Sequence, residues 1–261
     1  DPQGSRRALQ AEIGGFNEGS DHEVWAEGSW RVPVLYIADW PDRYIHTQRD
    51  VPGNLDPTKL RRAIFIAAAS GWYLANVTAQ GDMLPVVQAG EIERAAQAQR
   101  RVDALRARGA PEADIAALWR TYRASERAAI ESFSRFGIEV AAEPAFLDWV
   151  IPRLDPAAPS GPVYRRVLRE GPMNGFGYSW FDDRLARAHL PRPRLLAREP
   201  DGEGASLGYE ALNLVDGQRS VGEIRDALAA TVGAAPQQEV AEYLDILARL
   251  GVIEVVQRGN R

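Results

Sequence analysis

"VPVLYIADWPDRYIHTQRDVPGNLDPTKLRRAIFIAAASGWYLAN", residues 32–76, is the stretch on which the fold class turns. Val32 to Ala38 is a β-branched, apolar run entered at Pro33, and it reads as a buried strand. Residues from Pro57 to about Leu74 read as a helix, with Asp56 as N-cap and Pro57 at the first helical position. The apolar run from Ala63 is interrupted by Ser70, Gly71 and Asn76 and falls short of the roughly 20 residues that a bilayer span needs, so a core helix is expected. Strand, polar loop and buried helix in this order predict the edge of an α/β domain. The loop leaves the carboxyl end of the strand, where such sheets place ligands.

Working outward, "GSDHEVWAEGSW" (19–30) opens with a Ser20/Asp21 pair suited to cap a short helix carrying Val24 and Trp25. Downstream, "EIERAAQAQRRVDALRAR" (91–108) and "IAALWRTYRASERAAIESFSRFG" (115–137) predict a helical hairpin. In its second helix Ile115, Leu118, Trp119, Tyr122, Ile130 and Phe133 share one apolar face. Residues 138–205 are rich in proline and glycine and read as a connector, with a local fold around "GPMNGFGYSWF". Beyond it, three short helices are marked by Gly217, by a Ser220/Glu223 capping box, by Gly233 and by Pro236 and Gly251; "VIEVVQ" follows as a strand. The expected fold is therefore α/β at residues 1–84, as the C-terminal edge of a larger domain, then a mainly α region. That region comprises a hairpin (85–137), a connector (138–205) and a winged-helix-like module (206–261).

The 261 residues are 45% hydrophobic and 26% charged, enough for a buried core. A net charge of -5 argues against a nucleic-acid or anionic-membrane partner held by general electrostatics. Lys59 is the only lysine, a bias that reads as genome composition. With no cysteine, any zinc must be held by His, Asp or Glu.

Of three histidines, His46 stands out because it lies in the polar loop after the expected strand. Thr47 and Asp50 are close enough in sequence to orient its ring through the second nitrogen, the usual arrangement around a metal-bound imidazole. His189 reads as a solvated loop residue, and His22 as a histidine held inside the short helix.

Together these residues resemble the closing part of the catalytic domain of the co-catalytic zinc exopeptidases related to aminopeptidases S and Y. The "SDH" of Ser20, Asp21 and His22, the apolar strand entered at Pro33, and then His46, Thr47, Asp50 and Pro52 follow that family's order over about 60 residues. The resemblance implies that His46 is the last ligand of a two-zinc site, with Asp21 a catalytic carboxylate near the site and Tyr44 facing a peptide substrate. Thr47 and Asp50 would support the ligand from behind. In such a site two zinc ions make hydroxide available near neutral pH to attack a peptide carbonyl. The resemblance also implies a periplasmic or secreted location.

The chain departs from the family pattern upstream. The family's earlier His-x-Asp, its paired acids with the general base and its further Asp have no counterpart in the residues before Ser20, which hold only Asp1, Glu12 and Glu18 as acids. The expectation is a catalytically incomplete chain, either with upstream sequence missing, which is the favoured reading, or as a degenerate relative.

Two other features carry less. The helix "PQQEVAEYLDILARLG" (236–251) presents Glu239, Glu242 and Asp245 and would repel DNA phosphates. Arg94, Arg100, Arg101, Arg106 and Arg108 alternate with Glu91, Glu93 and Asp103 and read as a solvated face of the hairpin. The alternative to a peptidase is a non-catalytic interaction protein that docks a partner on the hairpin and the C-terminal module.

Overall fold

The computed structural model describes residues 6–11, 13, 19–28, 30, 32–77, 80–137, 152, 154, 160–167, 179–198 and 203–256. In chain order its helices are α1 (His22–Ala26), α2 (Pro57–Asn76), α3 (Gln80–Ala107), α4 (Glu112–Glu131), α5 (Trp180–Arg187), α6 (Glu203–Asn213), α7 (Val221–Thr231) and α8 (Gln237–Arg249). The strands are β1 (Tyr164–Arg166) and β2 (Ile253–Val255), and short 3-10 turns occupy Pro52–Asn54, Ser132–Phe136 and Arg194–Ala197. The described chain is mainly helical. The residues 171–178 that carry most of "GPMNGFGYSWF", and the acids Asp1, Glu12 and Glu18, lie outside the described residues.

Local signals in the sequence set the helix ends. The Asp56 carboxylate accepts the Thr58 and Lys59 N–H groups at 2.7 and 3.3 Å, opening α2 behind Pro57. Ser220 and Glu223 cap α7 reciprocally: the Ser220 N–H donates to the Glu223 carboxylate at 2.8 Å while Ser220 Oγ accepts the Glu223 N–H at 3.4 Å. Gly217, at φ +83°, turns the chain after α6 and donates its N–H to the Tyr164 carbonyl at 3.0 Å.

The main core belongs to the C-terminal region. Leu207, Leu212, Ile224, Leu228, Leu244 and Leu247 from α6, α7 and α8 meet Ile253 of β2. The connector supplies the missing strand: β1 pairs antiparallel with β2, Tyr164 opposite Val255 and Arg166 opposite Ile253. It also supplies Leu195, which is fully buried in the same cluster. Among the described residues these two strands form the only sheet.

A second cluster joins the hairpin to this region. Ala98 and Val102 of α3, with Ile115, Leu118, Trp119 and Ile130 of α4, surround Ala230 of α7. Polar ties border it. Arg120 reaches Asp226 at 2.9 Å, Arg101 donates to the Thr231 carbonyl at 2.8 Å, and Arg225 holds the buried Asp114. Hairpin and C-terminal helices are thus one packed body across the α4/α7 contact.

Three sequence expectations change. Val32 to Ala38 forms no regular element, is exposed along its length, and pairs with no strand among the described residues. The reason is that nothing in the described chain presents a sheet edge to it. Likewise α2 forms as expected but buries no residue; Phe65 is 71% and Trp72 70% exposed. No helix among the described residues is long and apolar enough to cross a membrane. Finally, the hairpin's charged face is not wholly solvated, because Glu91 and Glu126 are buried and Arg94 turns inward to Glu126. Arg100, by contrast, pairs with Glu93 at the exposed surface, 3.2 Å away.

The front segment is fastened to the C-terminal core by its "EG" step. Gly28 donates its N–H to Asn213 Oδ1 at 3.0 Å, and a Cβ at Gly28 would lie 2.6 Å from the Asn213 carbonyl oxygen, so only glycine allows this approach. Beside it Glu27 and Arg166, exposed by 1% and 7%, form an ion pair at 3.6 Å. The rest of the Arg166 guanidinium donates to the carbonyls of Val215 and Asn213, each at 3.2 Å.

Candidate functional site

The loop between the 32–38 run and α2 is built on short-range hydrogen bonds. Asp42 accepts the N–H groups of Tyr44 and Ile45 at 2.8 and 3.2 Å, a side-chain turn typical of aspartate. Tyr44 to Thr47 is then a β-turn, closed by the Thr47 N–H on the Tyr44 carbonyl at 3.1 Å. Thr47 Oγ1 donates to the same carbonyl at 2.6 Å and accepts the Arg49 N–H at 3.1 Å. Asn54 reaches back to the Arg49 carbonyl at 2.7 Å and ties the loop to the 3-10 turn before α2.

His46 sits at the third position of this turn with φ +60°, a left-handed conformation that glycine or asparagine normally occupies there. His189 also has positive φ, at +51°, but it ends α5, where the Leu190 N–H folds back on the Leu185 carbonyl at 2.9 Å. Its conformation is ordinary helix termination, whereas that of His46 is not. The His46 ring is exposed and makes no hydrogen bond or ion pair among the described residues.

The expected supporting residues lie in the same loop without touching the ring. The hydroxyl of Thr47 is committed to Tyr44, and Asp50 uses its N–H on the Thr47 carbonyl at 3.1 Å while its exposed carboxylate makes no bond to His46. Tyr44 is half-buried. Asp21 lies at the start of α1, exposed, with no hydrogen bond or ion pair to Tyr44, His46, Thr47 or Asp50. His22 is buried and stacks on Tyr36, ring centres 4.1 Å apart and planes 13° from parallel. That is a packing role.

Among the described residues no group of three or more His, Asp or Glu side chains is placed to hold a metal ion. An exposed imidazole can fill one position of a zinc coordination sphere, and the described residues do not fill the others. Comparison with models of known protein families, with curated proteins and with solved structures finds no match to this chain.

The acidic helix of the C-terminal region faces inward in charge terms. Glu242 of α8 pairs with Arg194 at 2.6 Å and Glu239 with Arg198 at 3.0 Å, so both carboxylates bind the 3-10 turn that covers α8.

Sequence reasoning missed a polar cluster at the open end of the hairpin. Glu126 is 2% exposed and takes both guanidinium arms of Arg94, at 2.6 and 2.7 Å. Tyr122 donates to the Glu91 carbonyl at 3.3 Å. The Glu91 side chain is 3% exposed, and its Oε1 has no hydrogen-bond partner among the described residues. Burial pushes the Glu91 carboxyl above its usual range, the Glu126 charge adds to this, and Arg94 opposes it. The signal in the sequence was weak: Glu126 interrupts the apolar side of α4 between Tyr122 and Ile130, which points to a buried partner.

A stability prediction follows from the raised pKa. The folded state binds the Glu91 proton more tightly than the unfolded chain, so this group favours folding fully below the ordinary glutamate pKa. That contribution is lost as pH rises through the folded value. Glu91→Gln, neutral at every pH, is therefore expected to raise the urea midpoint at about pH 7 and to leave it nearly unchanged at about pH 3.5. A midpoint at neutral pH equal to or below that of the parent protein contradicts the assignment.

Proposed function

We propose that this chain is the carboxy-terminal portion of a zinc-dependent exopeptidase of the aminopeptidase type, in which His46 is a zinc ligand. The observation that supports this most is the backbone of His46. A bulky residue stands in a left-handed turn position that glycine or asparagine fills at less cost, and the residue is exposed. Strain of this kind is retained where a side chain has work to do. In this reading Asp21 and Tyr44 lie on the substrate side and Thr47 and Asp50 hold the loop that presents the imidazole to the metal. The substrate is a peptide with a free amino terminus.

The finer fold reading belongs with this proposal. Val32 to Ala38 and the Leu60, Ile64 and Phe65 surface of α2 are apolar and exposed together, as the edge of an α/β layer is when the rest of its sheet is not among the described residues. Helices α6, α7 and α8 with β1 and β2 make a winged-helix-like module, to which that edge is attached through Glu27 and Gly28.

Two measurements on the natural gene product test the reading. The parent protein should release the amino-terminal residue from a chromogenic amino-acid amide in a chelator-sensitive manner, and should bind zinc in equilibrium dialysis. His46→Gly should lose both while becoming more stable by about 1 kcal/mol, because glycine occupies the left-handed position without strain. Zinc binding and hydrolysis unchanged in His46→Gly would end the proposal.

A second reading has a specific observation behind it. The exposed apolar surface of α2 and the 32–38 run also suits a non-catalytic module that docks a protein partner. In that case the same variant leaves partner binding intact and no chelator-sensitive hydrolysis is found.

A further inference from the structure

The carboxyl end of α2, the amino-terminal half of α3 and the end of α4 enclose an open-sided cavity of about 780 Å3. Its walls are largely apolar, with Trp72, Leu74, Val87, Ile130 and Phe133 among them, and Glu91 and Arg94 at its polar end. The groove is open on one side, where Trp72 and Leu74 are themselves exposed.

The charges at the polar end do not balance. Two carboxylates, Glu91 and Glu126, share one guanidinium, and Arg94 spends both of its hydrogen-bonding arms on Glu126. Other nearby donors are engaged elsewhere: the Tyr122 hydroxyl on the Glu91 backbone carbonyl, and the Ser132 hydroxyl on the Ala129 carbonyl at 2.6 Å. This leaves Glu91 Oε1 buried and without a hydrogen-bond partner among the described residues, on a residue that lines the polar end of a mostly hydrocarbon cavity. A buried carboxylate in that position calls for a cation, and the aromatic walls supply faces on which a cation and its apolar body can rest.

We propose that this cavity is a binding site for a hydrophobic organic monoamine, its ammonium group on the Glu91 carboxylate and its apolar body between Trp72, Ile130 and Phe133. A neutral ligand leaves the acidic excess uncompensated, and an anion adds to it. An amine with an apolar body of ring or chain type satisfies the charge and the walls at once. The proposal is independent of His46 and of any metal.

The test uses three probes on one skeleton, titrated calorimetrically into the full chain at about pH 8, where the free amine is charged and an ammonium beside Glu91 favours the ionised carboxylate over the protonated one. The probes are 4-phenylbutylamine, 4-phenylbutan-1-ol and 4-phenylbutanoate. The amine is expected to bind at least about tenfold more tightly than the alcohol, and the carboxylate more weakly than either. Glu91→Gln keeps the shape of the side chain and should lower amine affinity about tenfold while leaving alcohol affinity as it was. Trp72→Ala, a change at an exposed helix position, should weaken amine and alcohol alike. Amine and alcohol of equal affinity, amine affinity unchanged in Glu91→Gln, or no amine binding at millimolar concentration would each overturn the proposal.

Discussion

Arg166→Ala is expected to lower the unfolding free energy by about 3–5 kcal/mol, the cost of breaking a buried ion pair by removing one of its members. Arg166 lies on β1 opposite Ile253, with its side chain 7% exposed, and it faces Glu27, exposed by 1%. Removing the guanidinium takes away the positive charge that lies 3.6 Å from the buried Glu27 carboxylate. It also withdraws donors from the carbonyls of Val215 and Asn213. Urea unfolding of Arg166→Ala, Glu27→Ala and the double variant separates the terms. The double variant should cost clearly less than the sum of the singles. Strict additivity would mean that Glu27 and Arg166 act independently and that the front segment is not anchored by this pair.

The second large effect belongs to the core. Leu228 is fully buried on α7 in the C-terminal cluster, and Leu228→Ala is expected to cost about 2–5 kcal/mol through lost burial and the cavity left behind. Phe65→Ala, on the exposed surface of α2, removes a larger side chain and should cost less than about 0.5 kcal/mol. The pair is informative because the two residues look equally apolar in sequence. A Phe65 variant as damaging as the Leu228 variant would show that the α2 surface is covered in solution.

Much of the helical framework was legible in the chain because its signals are local. The Asp56–Pro57 start of α2, the Ser220/Glu223 capping box and the terminating Gly217 and Gly251 act over one turn of backbone, and the structure uses each of them. The apolar face of α4 was also legible, since Ile115, Leu118, Trp119 and Ile130 repeat with the helical period. What they pack against was not. Besides Ala98 and Val102 of the expected hairpin they meet Ala230, about 100 residues later, and no periodicity encodes which distant surface a stripe will meet.

The strand expected at Val32 to Ala38 shows the limit from the other side. A β-branched run favours extended backbone, but a strand requires a second edge to complete its hydrogen bonds, and among the described residues this run has none. β1 shows the converse: Tyr164 to Arg166, in a connector without periodicity, becomes a strand because β2 lies beside it.

At the candidate site, sequence order singled out His46 and its loop neighbours, and Asp42, Thr47 and Asn54 close that loop through contacts of five residues or fewer. The left-handed turn that holds His46 could not be read from order alone, since β-turn type depends on backbone angles and not on spacing. Glu91 was misread for a related reason. One face of an amphipathic helix looks solvated until another helix covers part of it, and α4 covers Glu91 with Tyr122 and the Arg94–Glu126 pair.

By itself, then, the amino-acid order determined where helices begin and end, which side of α4 is apolar and which loop carries the exposed imidazole. All of these are decided by interactions within a turn or two. Tertiary structure alone decided that β1 completes a sheet with β2, that α4 docks on α7, that Glu27 pairs with Arg166 and that Glu91 Oε1 has no hydrogen-bond partner among the described residues. Those outcomes depend on which surfaces meet across long stretches of chain, where burial and charge pairing are settled by geometry rather than by neighbours in sequence.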